Sequence, residues 1–181
     1  MTPSKPAGLA ACLAMAAALA GCGGSSERNS MAAAYCPTTL TVQDAQRLIR
    51  FKPGPGRDPR DVMFEAQVVG AGTSCKMARN RMEVDVAMQI AVNAGPSVGQ
   101  TVTQVPFFVR ILDGRGNVVQ GRDELADYKL SAASPRGASR EQFYVELPFS
   151  QLSDIGGYRI AVGLKPTHEE LEYNRRSASR P

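Results

Sequence analysis

Between Met82 and Val92 the chain alternates strictly. Met82, Val84, Val86, Met88, Ile90 and Val92 are apolar, while Glu83, Asp85, Ala87, Gln89, Ala91 and Asn93 are polar or small. Side chains that recur with a period of two share one face of a strand, so this segment predicts one buried face and one mostly solvated face. Val62, Phe64, Ala66 and Val68 repeat the pattern earlier, as do Val105, Phe107, Val109 and Ile111, then Phe143, Val145 and Leu147, then Tyr158, Ile160, Val162 and Leu164. Turn chemistry separates these runs at Asn93 to Gly99 and at Asp113-Gly114-Arg115-Gly116-Asn117, the latter a hairpin signal. Val118 to Gln120, Tyr128 to Leu130, Leu40 to Val42 and Arg47 to Phe51 supply shorter strands, and Pro135 to Ser139 reads as a loop. Seven to nine short strands with no long amphipathic helix between them predict an all-β fold, an antiparallel β-sandwich rather than an α/β enzyme. One short helix closes the chain. Thr167 and Glu170 form a capping box, and acidic residues at Glu169, Glu170 and Glu172 precede Arg175 and Arg176 in the order the helix dipole favours.

The first residues decide the compartment. Met1 to Gly21 combine one cation (Lys5), an apolar run from Ala7 to Ala20 and small residues at its end, the three parts of a secretory signal. That run is shorter than the roughly 20 residues needed to cross a bilayer. Leu19, Ala20, Gly21 and Cys22 resemble the lipobox of bacterial lipoproteins. A rival at Leu9-Ala10-Ala11-Cys12 would leave barely two helical turns of apolar chain. The resemblance implies cleavage before Cys22, a diacylglyceryl thioether on its sulfur and acylation of the new amino terminus. Each buried methylene adds about 0.8 kcal/mol to membrane binding, so three chains anchor almost irreversibly. Position 23 is Gly rather than Asp, which in the enterobacterial sorting pattern implies the outer membrane of a Gram-negative cell, with the domain facing the periplasm. The expected organisation is a signal peptide at 1–21, a flexible tether at 22–34, a sandwich domain at 35–175 and a disordered tail at 176–181. Cys36 and Cys75 remain as a pair in a compartment where disulfides persist. A bridge between them is expected; two free thiols or a metal pair is the alternative.

Charge excludes little. Lys plus Arg number 21 against 17 Asp plus Glu, an excess too small to argue for nucleic acid. Basic residues cluster between Lys52 and Arg60 and again at Arg175, Arg176 and Arg180, where they either touch anionic headgroups or are simply solvated. The most distinctive loop runs from Arg50 through Phe51-Lys52-Pro53-Gly54-Pro55-Gly56-Arg57-Asp58. Its Arg50, Lys52, Arg57 and Arg60 are candidates for contacting a partner through planar guanidinium forks, unless Asp58 and Asp61 neutralise them locally.

Catalytic and metal signals are weak. His168 is the single histidine and falls at the first turn of the short helix. Gly95-Pro96-Ser97-Val98-Gly99 has the G-x-S-x-G spacing of serine hydrolases, but that nucleophile must sit on a strand-to-helix turn, and here strands flank it. Cys75, Met77, Met82, Met88 and His168 are soft-ligand candidates for copper; the strand register makes Met82 and Met88 core filling instead. The Asp113 to Asn117 loop has too few carboxylates for calcium. No cofactor or metal is expected.

Two wider resemblances remain. Asp154, Gly156 and Tyr158 resemble the tyrosine corner of immunoglobulin-like domains, with Ile160 in place of the core cysteine. Cys36-Pro37, Arg50-Phe51-Lys52-Pro53-Gly54, Gly56-Arg57-Asp58, Phe64-Glu65-Ala66, Cys75 and Glu169 through Arg175 resemble a group of uncharacterised alphaproteobacterial lipoproteins, which implies no activity. The leading expectation is a non-enzymatic interaction or scaffold module, bound to the membrane through Cys22 and to an envelope protein. A carrier or chaperone for lipid, metal or peptide ranks second, and an envelope hydrolase third.

Overall fold

The computed structural model describes residues 30–54, 57–99 and 102–178. Within them, eight strands form two four-stranded sheets packed face to face. The strands are β1 (Thr39–Thr41), β2 (Arg47–Phe51), β3 (Val62–Met77), β4 (Arg81–Ala94), β5 (Thr103–Leu112), β6 (Val118–Tyr128), β7 (Arg136–Pro148) and β8 (Arg159–Leu164). One sheet has the order β1-β8-β5-β6 and the other β2-β3-β4-β7. All pairings are antiparallel except β1 with β8, which run parallel. This is the all-β sandwich that the alternation predicts, closed by a terminal helix at His168–Ala178.

The core lies where the two inner faces meet. Along β4, none of Met82, Val84, Val86, Met88, Ile90 and Val92 exceeds 1% exposure. Opposite them stand Val105, Phe107, Val109 and Ile111 of β5 and Ile160, Val162 and Leu164 of β8, all buried in one continuous cluster. The rings of Phe107 and Phe143 meet edge to face across it, with centroids 5.7 Å apart. Each such side chain contributes about 1.5–3 kcal/mol by leaving water, so the inner faces hold the sandwich shut.

Several elements differ from their sequence-based expectations for identifiable reasons. β3 continues to Met77, beyond the Val62 to Val68 run, because the neighbouring β4 supplies its hydrogen-bond partners from Gly70↔Gln89 to Met77↔Met82. Val69 is the extra residue where the register shifts, and it is 56% exposed. Val118 to Gln120 and Tyr128 to Leu130 are not separate strands. β6 runs unbroken from Val118 to Tyr128, and its polar middle follows from its place at a sheet edge, where little covers it. The expected loop from Pro135 to Ser139 is mostly strand, since β7 begins at Arg136 opposite Asn93.

Other differences fall at the chain ends and in the topology. The tyrosine-corner likeness does not extend to connectivity: immunoglobulin domains keep their last two strands in one sheet, whereas β7 and β8 lie in different sheets. Asp154 instead caps a short helix (Leu152–Ile155), its carboxylate accepting from the backbone N–H groups of Ser150 and Gln151 at 3.0 Å. The terminal helix extends to Ala178, so residues 176–178 are helical rather than tail.

The amino-terminal arm is docked. Residues 30–35 are helical and Ala32 is 1% exposed within the core, so the last part of the expected tether belongs to the domain. Cys36 and Cys75 are joined by a disulfide, and the Thr73 hydroxyl donates to the Pro37 carbonyl at 2.7 Å beside it. The expected signal peptide, Cys12, Cys22 and tether residues 22–29 lie outside the described residues. No helix among the described residues is long and apolar enough to cross a membrane.

The bridge closes a sequence separation of 39 residues, which on chain-entropy grounds stabilises by about 4 kcal/mol. Replacing both cysteines by serine is expected to lower the urea unfolding free energy by that order. A loss under about 1 kcal/mol would show that burial of Ala32 and its neighbours, not the bridge, holds the arm.

Candidate functional site

The four cations singled out, Arg50 of β2 and Lys52, Arg57 and Arg60 of the β2–β3 loop, are engaged within the chain. Arg50 Nε donates to Glu170 Oε1 at 2.5 Å, and its guanidinium lies 5.8 Å from the Phe64 ring centroid. Arg57 pairs with Glu169 and stacks 5.5 Å from the Phe51 ring. Lys52 Nζ sits 2.7 Å from Asp61 Oδ1. Arg60 reaches both Asp58 oxygens at 3.0 Å, and its backbone N–H also donates to Asp58. The Arg60 guanidinium and then its backbone N–H hold the Asp58 carboxyl below its usual range, and Asp58 in turn raises Arg60.

This loop is therefore the dock of the terminal helix. Glu170 is 5% exposed, and its Oε2 accepts the Thr167 N–H at 2.8 Å while the Thr167 hydroxyl accepts the Glu170 N–H at 3.3 Å. One carboxylate both caps the helix and ties it to β2 through Arg50. The contact continues through the Phe51 and Tyr173 rings, edge to face at 5.0 Å, through Asn174 Nδ2 donating to the Arg47 carbonyl, and through Arg175 with Asp44. Local neutralisation by Asp58 and Asp61 was legible in the loop; the partnership with Glu169 and Glu170 joins residues more than a hundred positions apart and carried no local signal.

The other chemical candidates lie apart from this dock or in the core. The Ser97 hydroxyl donates to the Arg60 carbonyl at 2.8 Å, and the Gly95–Gly99 segment links β4 to β5 across the two sheets rather than joining adjacent antiparallel strands. At Gly95 a Cβ would stand 2.2 Å from the Val62 carbonyl oxygen, so glycine is required there by close approach. His168 is exposed at the start of the terminal helix. Met82 and Met88 are core, Cys75 is bridged, and no three His, Cys, Asp or Glu side chains among the described residues could hold a metal together.

A different surface forms a wider concavity than those beside the terminal helix. On the outer face of the β3-β4-β7 sheet, the register aligns three rows: Gly70 with Gln89 and Arg140, Gly72 with Ala87 and Gln142, and Ser74 with Asp85 and Tyr144. Glycine and alanine leave the middle low, while longer side chains rise around it, giving an open trough of about 800 Å³. The side chains of Asp85, Gln89, Arg140 and Gln142 make no hydrogen bond or ion pair among the described residues. Tyr144 is 50% exposed and donates its hydroxyl to Glu146 at 2.9 Å. Partial burial, and then Glu146, raise its phenol above the usual value. The trough thus offers amide donors and acceptors, one carboxylate, one guanidinium and a neutral ring, a set suited to an extended polar ligand. Sequence reasoning passed over it because it treated the polar face of β4 as solvated; the signal was the small residues Gly70, Gly72 and Ala87.

No family model, curated protein or solved structure matches the chain.

Glu170→Gln removes the charge that Arg50 faces while preserving shape. With Arg50 one-third exposed, the expected cost is about 2 kcal/mol, discounted from a fully buried pair. Thermal unfolding should drop accordingly, and amide exchange should rise first in residues 168–178. Unchanged exchange in that helix would show that its other contacts, from Phe51 with Tyr173 to Asn174 and Arg175, hold it without the Arg50 pair.

Proposed function

We propose that this chain is a lipid-anchored, periplasm-facing lipoprotein of the cell envelope, attached through Cys22, whose sandwich acts as a non-enzymatic binding module with the β3-β4-β7 trough as its contact surface. The observation that carries the contact surface is the set of unpartnered polar side chains Asp85, Gln89, Arg140 and Gln142 around a floor of Gly72 and Ala87. Polar groups already in water gain from a partner chiefly through geometry, and a rigid sheet fixes the backbone spacing of these four, leaving side-chain ordering of about 0.5–1.5 kcal/mol each as the cost on binding. The anchor rests on the Leu19-Ala20-Gly21-Cys22 lipobox, and the Cys36–Cys75 bridge fits an oxidising compartment. An envelope protein is the proposed partner. The carrier reading for an interior lipid is less well supported, because Met82, Val84, Val86 and Phe107 are tightly buried in the space a lipid would need.

Photo-crosslinking residues placed at Gln89, Gln142 and, as a control, Glu172 on the terminal helix provide the test in intact cells. The expected result is a discrete adduct from Gln89 and Gln142 and none from Glu172. Capture from Glu172 with silence at both trough positions would overturn the assignment of the surface.

A further inference from the structure

The strand directions give the sandwich two unlike ends. β3 runs 16 residues, about 50 Å. At one end lie the start of β1 with the Cys36–Cys75 bridge, the β3–β4 hairpin, the β5–β6 turn and the start of β8. At the other lie the β2–β3 loop and the start of the terminal helix. Only residues 23–29 separate Cys22 from Ser30, and the eight Cα–Cα steps between them reach at most about 28 Å. The bridge pins Cys36, and the helical residues 30–35 add about 9 Å, so the first end stays within about 37 Å of wherever Cys22 is fixed, while the second lies about 50 Å further along the strands.

The first end carries the chemistry of a bilayer contact. Lys76, Arg79, Arg115 and Arg159 are exposed there and form no salt bridge among the described residues. Carboxylates share this end: Glu83 lies opposite Lys76 and, with Glu146, pairs with Arg81 at 3.0 and 3.3 Å, while Asp113 and Asp154 accept backbone N–H groups and keep their charge, so that the four exposed cations with Arg81 leave only a slight positive excess over these carboxylates. Val118 and Val119 follow the β5–β6 turn at 58% and 54% exposure, and Met31 on the arm is 38% exposed. Cations interleaved with exposed apolar side chains are what an interfacial contact with anionic headgroups requires. At the opposite end Lys129 and Arg136 also lack salt bridges, so charge alone does not distinguish the ends; the exit of the arm does.

We propose that the tip formed by the β3–β4 hairpin and the β5–β6 turn rests on the anionic surface of the membrane that holds Cys22, which turns the terminal helix and the β2–β3 loop away from the bilayer. This rests on the lipid-anchor reading above. Each of Lys76, Arg79 and Arg115 adds about fivefold to residence at an anionic surface.

Protein extracted from membranes, with acylation of Cys22 checked by mass spectrometry, is reconstituted in vesicles of phosphatidylethanolamine with phosphatidylglycerol, or of phosphatidylcholine alone. Hydrogen exchange is then followed in residues 76–81 and 113–119. Slowing of at least about threefold on the anionic vesicles is expected. It should vanish in a Lys76→Glu, Arg79→Glu, Arg115→Glu variant and persist in Lys129→Glu, Arg136→Glu. An acylated protein whose tip exchanges equally on both vesicles, or whose far-end variant loses protection instead, overturns the tip contact and leaves the anchor standing. A chain found without acyl groups on Cys22 overturns both.

Discussion

The register of β4 between β3 and β7 is the constraint from which the rest follows. Because side chains alternate across a strand, a slip by one residue would exchange every inward group for an outward one. In the observed register the alternate residues from Met82 to Val92 fill the core, and on the outside Asp85 is thereby aligned with Ser74 and Tyr144, Ala87 with Gly72 and Gln142, and Gln89 with Gly70 and Arg140. The same pairing that buries the most apolar surface builds the trough. The two faces are separable: outer side chains can change without disturbing the packing beneath them.

Two fastenings convert this sandwich from a bare core into an oriented one. The Cys36–Cys75 bridge ties the incoming arm to one end of β3, and Ala32 seals the same region by burial. Glu170, capped against Thr167 and paired with Arg50, ties the outgoing helix to β2. The basic loop at Arg50 to Arg60 thus spends its charge inside the molecule. Surface pairs such as Arg60 with Asp58 add little to stability, and Arg60 remains 87% exposed.

The fold was largely legible because alternation is a local signal that tertiary structure obeys when one face of a sheet is buried. Legibility failed where a strand borrows its identity from a neighbour. Gly70 to Met77 carry only a faint rhythm, with Ala71, Thr73, Cys75 and Met77 half-buried and Gly72, Ser74 and Lys76 exposed, and β4 supplies their pairing; Arg122, Asp123 and Glu124 interrupt the rhythm of β6 because an edge strand is solvated on most sides. The cysteine pair was readable from compartment logic. The loop cations were visible but their partners Glu169 and Glu170 were not, since charge pairing across the chain depends on which ends the topology brings together. The trough escaped notice because a polar strand face reads the same whether it is idle or used.

The most direct test of separable faces is Gly72→Tyr. A Cβ at Gly72 meets nothing within 4 Å, and the position has no left-handed backbone that would demand glycine. Filling the trough there should leave the melting temperature within about 3 °C, as for an ordinary surface change, while abolishing the crosslinked adduct formed from Gln142. Unfolding of the variant, or an undiminished adduct, would contradict the claim that one strand register serves a core on one side and a contact surface on the other.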